Sequence, residues 1–236
     1  MSSVAARRHY RGVPSEESAL VELEQVVHAR RSSRLFHPDR DVPRGHVLEA
    51  LELARRAPSN SNTQPWHLVL ASGAARERLV DALVSEARVR APAEQPLPAE
   101  FAGAREDLGE QLYGSLGIAR DDAVGRRRAV ELNWRFYNAP LAGIVCMHRE
   151  LGHGDSLGVG MFLQTLVLAL TERGLGTCVQ VSIAAYPEIL RAQLGIPDDL
   201  IVLCGLAIGY PDPAFAGNSL FTPRNPVEAN VVFLDS

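Results

Sequence analysis

Pro58 and Pro65 fence a run of small and amide residues, Ala57-Pro58-Ser59-Asn60-Ser61-Asn62-Thr63-Gln64-Pro65-Trp66-His67, and no other stretch constrains the chain as much. The residue before a proline is pushed out of the helical basin, so a helix must end by Ala57 and Gln64 is expected to be extended. Beyond Pro65 the apolar run Trp66 to Ala71 reads as a core strand. The loop between is short. Its hydroxyls and amides offer donors and acceptors together, which suits a polar ligand such as the rim of a heterocycle.

The 236-residue chain is 46% hydrophobic, enough to bury a substantial core in one domain. A net charge of -4 argues against a nucleic-acid partner, which needs a basic field over a whole face. There is no lysine, so all 24 cations are arginines. This excludes a lysine Schiff base and a P-loop lysine, and makes any anion site a guanidinium site. Cys146, Cys178 and Cys204 are scattered, without CxxC or zinc-ligand spacing, and no disulfide is expected. His9-Tyr10-Arg11-Gly12 follow Arg7 and Arg8 where a signal peptide would be apolar, so a cytoplasmic protein is expected. The apolar segment Met161–Leu170 falls short of the ~20 residues of a membrane span.

Residues 1–14 read as a flexible arm and 15–236 as a single domain. Leu20, Leu23, Val26 and Val27 predict a helix that ends at Arg30. Pro43 is placed to start a second, with Val47, Leu51 and Ala54 inward and Arg55-Arg56 in the last turn. A third runs from about Ala74 to Ala87. The proline-rich 91–98 stretch reads as an extended connection, and a helical region follows to Phe136. Asn133, Trp134, Phe136 and Tyr137 belong either to the core or to a pocket border. Leu141–Met147, Cys178–Ser182 and Leu200–Ile208 read as strands, Asp155–Arg173 and Pro187–Leu194 as helices. Gly158 and Gly160 suggest a helix approached closely at a subunit interface. Val231-Val232-Phe233 reads as a terminal strand in need of a sheet edge.

The loop resembles the PSSxNxQPW signature of the FMN-dependent nitroreductase family, and Arg30-Arg31-Ser32-Ser33-Arg34 resembles the basic RxSxR or RxSxK element that precedes it there. The resemblance extends from about residue 24 to the end. It implies an α+β nitroreductase-like fold, a central mostly antiparallel sheet flanked by helices, in an intertwined homodimer whose C-terminal extension reaches the partner subunit. It implies FMN as cofactor, with Arg30, Ser32 and Arg224 on the phosphate and Arg31 beside them. By the same resemblance Arg34 lies at the N1 and C2 carbonyl edge of the ring, and Pro58, Ser59, Asn60 and Asn62, with Gln64 as a further candidate, close over flavin held by the other subunit. Gln180, Val181, Ser182 and Ile183 resemble the strand end whose backbone approaches N5. A lysine of some members is Thr222 here. The implied activity is ping-pong transfer of reducing equivalents from NAD(P)H, NADPH slightly favoured, to an aromatic acceptor such as a nitroaromatic or quinone. Reductive dehalogenases, flavin-fragmenting enzymes and a non-catalytic flavin-binding protein are the alternatives.

Overall fold

A computed structural model describes residues 16–92 and 97–234. The arm expected over residues 1–14, and residues 93–96 of the proline-rich connection, lie outside the described residues. Along the chain the regular elements are α1 (Glu16–Ala29), α2 (Arg44–Ala54), β1 (Trp66–Ser72), α3 (Gly73–Val89), α4 (Ala102–Ser115) and α5 (Ala123–Trp134). They continue with β2 (Leu141–His148), α6 (His153–Glu172), β3 (Gly176–Gln180), α7 (Pro187–Leu194) and β4 (Leu200–Gly209).

The four strands form one antiparallel sheet in the order β1-β2-β4-β3. The nearly unbroken apolar run of β2 is explained by helices on both faces of the sheet. Its alternate residues Ala142, Ile144 and Cys146 pack with Leu79, Leu83, Trp134 and Leu190 on the face of α3, α5 and α7. On the other face Leu206 and Ile208 of β4 pack with Ala50, Ala54, Phe162, Leu166 and Leu170 of α2 and α6. β1, expected in the core, is instead an edge strand with mostly half-buried residues. Its first residue is anchored by Trp66 stacking on Phe162, ring centroids 4.8 Å apart and planes 7° from parallel.

Local chemistry sets the ends of the elements. Asp122 accepts from the Gly125 N–H at 2.8 Å and caps α5, and Asp155 does the same for the Gly152 N–H at 3.1 Å before α6. α7 begins with Pro187 and ends at Gly195, φ 65°. Arg55 and Arg56 fall just past α2 rather than in its last turn, and both are exposed. α6 is 20 residues long with a mean hydropathy of 1.3, enough by length and composition to cross a membrane, where the sequence suggested a shorter apolar segment. Its Phe162, Leu166 and Leu170 are nonetheless buried in the core.

Two other expectations are corrected. β3 stops at Gln180, and Val181–Ala185 turn into a 3-10 helix that tucks Ile183 against Gly205 of β4. Val231-Val232-Phe233 form no strand and are exposed, with no sheet edge of their own chain beside them. Gly158 serves the chain's own loop, since a Cβ there would lie 3.1 Å from Ser59 Cβ and 3.3 Å from Pro65 Cγ. Gly160 meets nothing within 4 Å.

Candidate functional site

The basic element lies just past α1 as an extended segment laced onto the end of the sheet. Ser32 forms a parallel bridge to Thr177 of β3, and the Ser33 N–H donates to the Thr177 carbonyl at 2.9 Å. Gly176 is what permits that approach, because a Cβ there would come within 2.6 Å of Ser33 Oγ. Further along, the Phe36 N–H donates to the Tyr137 carbonyl and the His37 N–H to the Tyr210 carbonyl. Asn218, buried after β4, locks the middle of the segment. Its Oδ1 accepts from the Arg34 N–H at 2.6 Å, and its Nδ2 donates to the Leu35 and Asp212 carbonyls at 2.8 and 2.9 Å. Sequence reasoning missed Asn218, which sits among small polar residues that look like any loop.

The half-buried Arg34 side chain lines a small cavity with Asn133, Tyr137, Tyr113 and Phe215. Its guanidinium is the charged neighbour of the Tyr137 phenol in this cavity, and the phenol O–H donates to Asn133 Oδ1 at 2.6 Å. Burial raises the Tyr137 pKa well above the ordinary phenol value, with Arg34 opposing the shift, so the phenol is neutral at physiological pH. Burial likewise pushes the Cys178 thiol up to about 11, against the smaller opposing effect of Arg34. Both possibilities left open for the aromatic group are thus realised: Trp134 and Phe136 are core, while Tyr137 and Asn133 border the cavity.

At the end of β3, Gln180 is only 3% exposed. Its Nε2 donates to the Asn133 carbonyl at 2.9 Å, and its Oε1 is buried without a hydrogen-bond partner among the described residues. Such an orphan acceptor is costly unless a ligand or water serves it. Val181 and Ser182 are exposed in the following 3-10 turn, and Ile183 is in the core. Arg30 ends α1 half-buried, and Arg31 is exposed with its Nε donating to the Ala29 carbonyl at 3.4 Å. Arg224 is exposed and folded onto its own segment, donating to Thr222 O and Oγ1 and to the Pro223 carbonyl. Among the described residues no hydrogen bond joins Arg224 to the basic element. Among the described residues none of Arg30, Arg31, Arg34 and Arg224 pairs with a carboxylate, and the same holds for Arg40, Arg44 and Arg56, whereas Arg55, Arg88, Arg90, Arg135, Arg173 and Arg191 do.

The proline-fenced loop is tighter than expected. Ser61, Asn62 and Gln64 have φ of 49°, 56° and 48°, so Gln64 is in the left-handed region and not extended before Pro65. Hydrogen bonding explains the departure: the Gln64 N–H turns back to Ser59 Oγ at 3.0 Å, and the Asn62 and Thr63 N–H groups bond to the Ser59 and Asn60 carbonyls. Pro58, Asn60, Asn62 and Gln64 are exposed and Ser59 is half-buried. The Asn60 and Asn62 side-chain amides make no hydrogen bond among the described residues, so the loop displays them outward.

One chain does not bring the two halves together. The loop precedes Trp66, which pairs with Met147, itself opposite Ile201 at the start of β4. The basic element sits at Thr177 of β3, opposite Ile208 near the end of β4. These are diagonal corners of the sheet, about 30 Å apart by strand rise and spacing. No metal cluster of three or more His, Cys, Asp or Glu occurs among the described residues.

The family model described as the nitroreductase family matches residues 27–210. Nitroreductase NfnB from Mycolicibacterium smegmatis is 38% identical over 207 residues, covering 85% of this chain and 88% of that protein. Nitrobenzene nitroreductase from Ectopseudomonas oleovorans is 36% identical over 220 residues, covering 90% and 96%. The crystal structure of the FMN-dependent nitroreductase NfnB from Mycobacterium smegmatis in complex with NADPH matches with a TM-score of 0.85 at 34% identity, covering 92% of this chain and 100% of that one. On sequence and on fold alike, the chain belongs to the nitroreductase family.

Proposed function

We propose that the chain is an FMN-dependent NAD(P)H oxidoreductase acting on small electron-poor aromatics, nitroaromatics foremost. The observation that carries this is the buried Gln180 Oε1, which has no hydrogen-bond partner among the described residues and sits at the end of β3, the strand onto which the basic element is laced. Unneutralised guanidinium forks suit a ligand phosphate, and the orphan Oε1 of buried Gln180 calls for a donor from a ligand. The residues present therefore fit FMN. When bound, FMN supplies the redox chemistry, accepting reducing equivalents from NAD(P)H and passing them to the aromatic acceptor.

The protein's part is binding and electrostatics. Arg30, Ser32 and Arg224, with Arg31 beside them, hold the phosphate. Arg34 places a fixed cation where negative charge grows on the ring, as donors do in an oxyanion hole. Gln180, Val181, Ser182 and Ile183 form the wall on the β3 side. Pro58, Ser59, Asn60, Asn62 and Gln64 close the site from a second copy of the chain. Two observations support that homodimer: the diagonal separation of the halves, and exposed apolar side chains along α1 and α6, Leu23, Val27, Leu157 and Met161. NADPH is the favoured reductant, in line with the NADPH complex of the M. smegmatis relative. The three free, buried cysteines fit the reducing cytoplasm.

The test is to purify the protein, titrate it with FMN, and follow NADPH and NADH oxidation with and without nitrobenzene. Yellow protein with about one FMN per chain and nitroaromatic-dependent turnover is expected. Protein that ignores FMN overturns the proposal, and bound FMN without turnover leaves the non-catalytic flavin-binding alternative in its place.

A further inference from the structure

Three consecutive residues that are not glycine, Phe136, Tyr137 and Asn138, have φ of 51°, 52° and 62°. The left-handed region is unfavourable for any L residue and most so for bulky side chains, so a run of three, two of them aromatic, persists only where the surroundings impose it. The turn is held from every side. The Ala139 N–H bonds back to the Phe136 carbonyl at 2.9 Å, the Asn138 N–H to the Arg135 carbonyl at 3.0 Å, and the Tyr137 carbonyl accepts from Phe36 of the basic element at 3.1 Å. Phe136 is fully buried and Tyr137 nearly so.

What it accomplishes is visible at the phenol. Tyr137 O–H is committed as a donor to Asn133 Oδ1 at 2.6 Å, which leaves its oxygen lone pairs for the Arg34 guanidinium in the shared cavity. We infer that Tyr137 is a positioning residue for Arg34, a neutral phenol that a strained turn presents and Asn133 orients, so that the guanidinium is aimed without its charge being cancelled. A carboxylate at that place would hold Arg34 equally well, but would neutralise the field that Arg34 is there to supply. The Tyr137 hydroxyl stays protonated because it is buried, and the Cys178 thiol, a titratable neighbour in addition to Tyr113 of the cavity wall, stays protonated for the same reason. Arg34 is thus surrounded by dipoles instead of counter-charges. The inference rests on the reading of Arg34 as the cation facing the flavin.

The experiment compares wild type, Tyr137→Phe, Arg34→Ala and the double variant, each saturated with FMN. It measures FMN affinity, the reduction potential of the bound flavin against a reference dye, and the rapid-mixing rate of reduction by NADPH. Tyr137→Phe keeps the ring and the turn. It should leave FMN affinity near wild type, lower the potential, and slow reduction about tenfold, the effect of losing one oriented hydrogen bond. The double variant should match Arg34→Ala alone, because the phenol acts only through the guanidinium. Should Tyr137→Phe fail to fold, Asn133→Ala, which frees the hydroxyl but keeps the backbone carbonyl used by Gln180, should lower the potential in its place. A wild-type potential and rate in the folded variant, with Arg34→Ala altered, overturns the role of Tyr137 while sparing the proposed function. Additive losses in the double variant also overturn it. Failure of every variant and the wild type to bind FMN overturns the proposed function itself.

Discussion

Arg30, Arg34 and Arg224 carry the same charge, but their surroundings give them different work. Arg30 and Arg224 have no buried neutral group to lean on, and Arg224 is propped by Thr222, the position where some family members have lysine. A hydrogen bond to a charged group contributes about 1.5–3 kcal/mol, so Arg30→Ala or Arg224→Ala should weaken FMN binding by about one to two orders of magnitude, read by titration, with activity regained in excess FMN. Arg34→Ala should instead retain flavin and lower its potential. The thiols make a contrasting prediction. Cys146, Cys178 and Cys204 are each held near pKa 11 by burial, above the ordinary 9.0. Because the unfolded chain gives up these protons first, their contribution to stability is complete below about pH 9 and is lost as the pH rises through about 11. A Tm series from pH 7 to 11 should show this decline, and Cys178→Ser should lessen it while leaving turnover largely intact, since the redox chemistry needs no thiolate. At this scale the arginines and amides were singled out by their resemblance to the family's basic element and loop, since in isolation Arg30 and Arg31 read as a helix end. Asn218 and the Tyr137 phenol were not, because their roles depend on partners 184 residues away in the case of Asn218, and across the cavity in the case of Tyr137.

Among the elements, apolar periodicity located the four strands and α2, α3, α6 and α7, since the buried β2 leaves a continuous apolar signature, whereas α5, which also packs on the sheet through Trp134, fell inside an undivided helical region. Departures arose where a side-chain hydrogen bond overrode local preference or a partner edge was absent. Gln64 precedes a proline yet adopts φ 48° because Ser59 Oγ captures its N–H. The β-rich tail stays irregular because strand propensity without an adjacent edge has nothing to pair with. Glycines Gly158 and Gly176 mark where the two halves of the site are pressed onto the scaffold. Gly176→Ala would collide first with the Pro211 ring and then with Ser33, and Gly158→Ala would crowd Ser59 and Pro65. Each should cost about 1–3 kcal/mol as overpacking, with the larger loss at Gly176, where the contact is tighter. Flavin affinity should fall further than stability alone explains, a difference visible when Tm and FMN titration are compared.

For the whole molecule, the decisive fact is that the arginine element and the amide loop occupy diagonal corners of one sheet. If each site takes its arginines from one copy and its loop from the other, two differently damaged chains can repair one another. A dimer of Arg30→Ala with the double variant Asn60→Ala, Asn62→Ala would contain one site with both defects and one with neither. Random pairing makes half the dimers mixed, so co-expressed variants should recover roughly a quarter of wild-type sites, while each variant alone remains impaired. The measurement is tight FMN content and NADPH-dependent nitrobenzene reduction in mixed dimers isolated through two different affinity tags, where about half of the wild-type sites should be present. A site built within one chain predicts no recovery, because every chain in the mixture then carries a defect of its own. Recovery in the mixed species, and its absence when the two variants are purified separately and combined without subunit exchange, would place both halves of each site on different subunits.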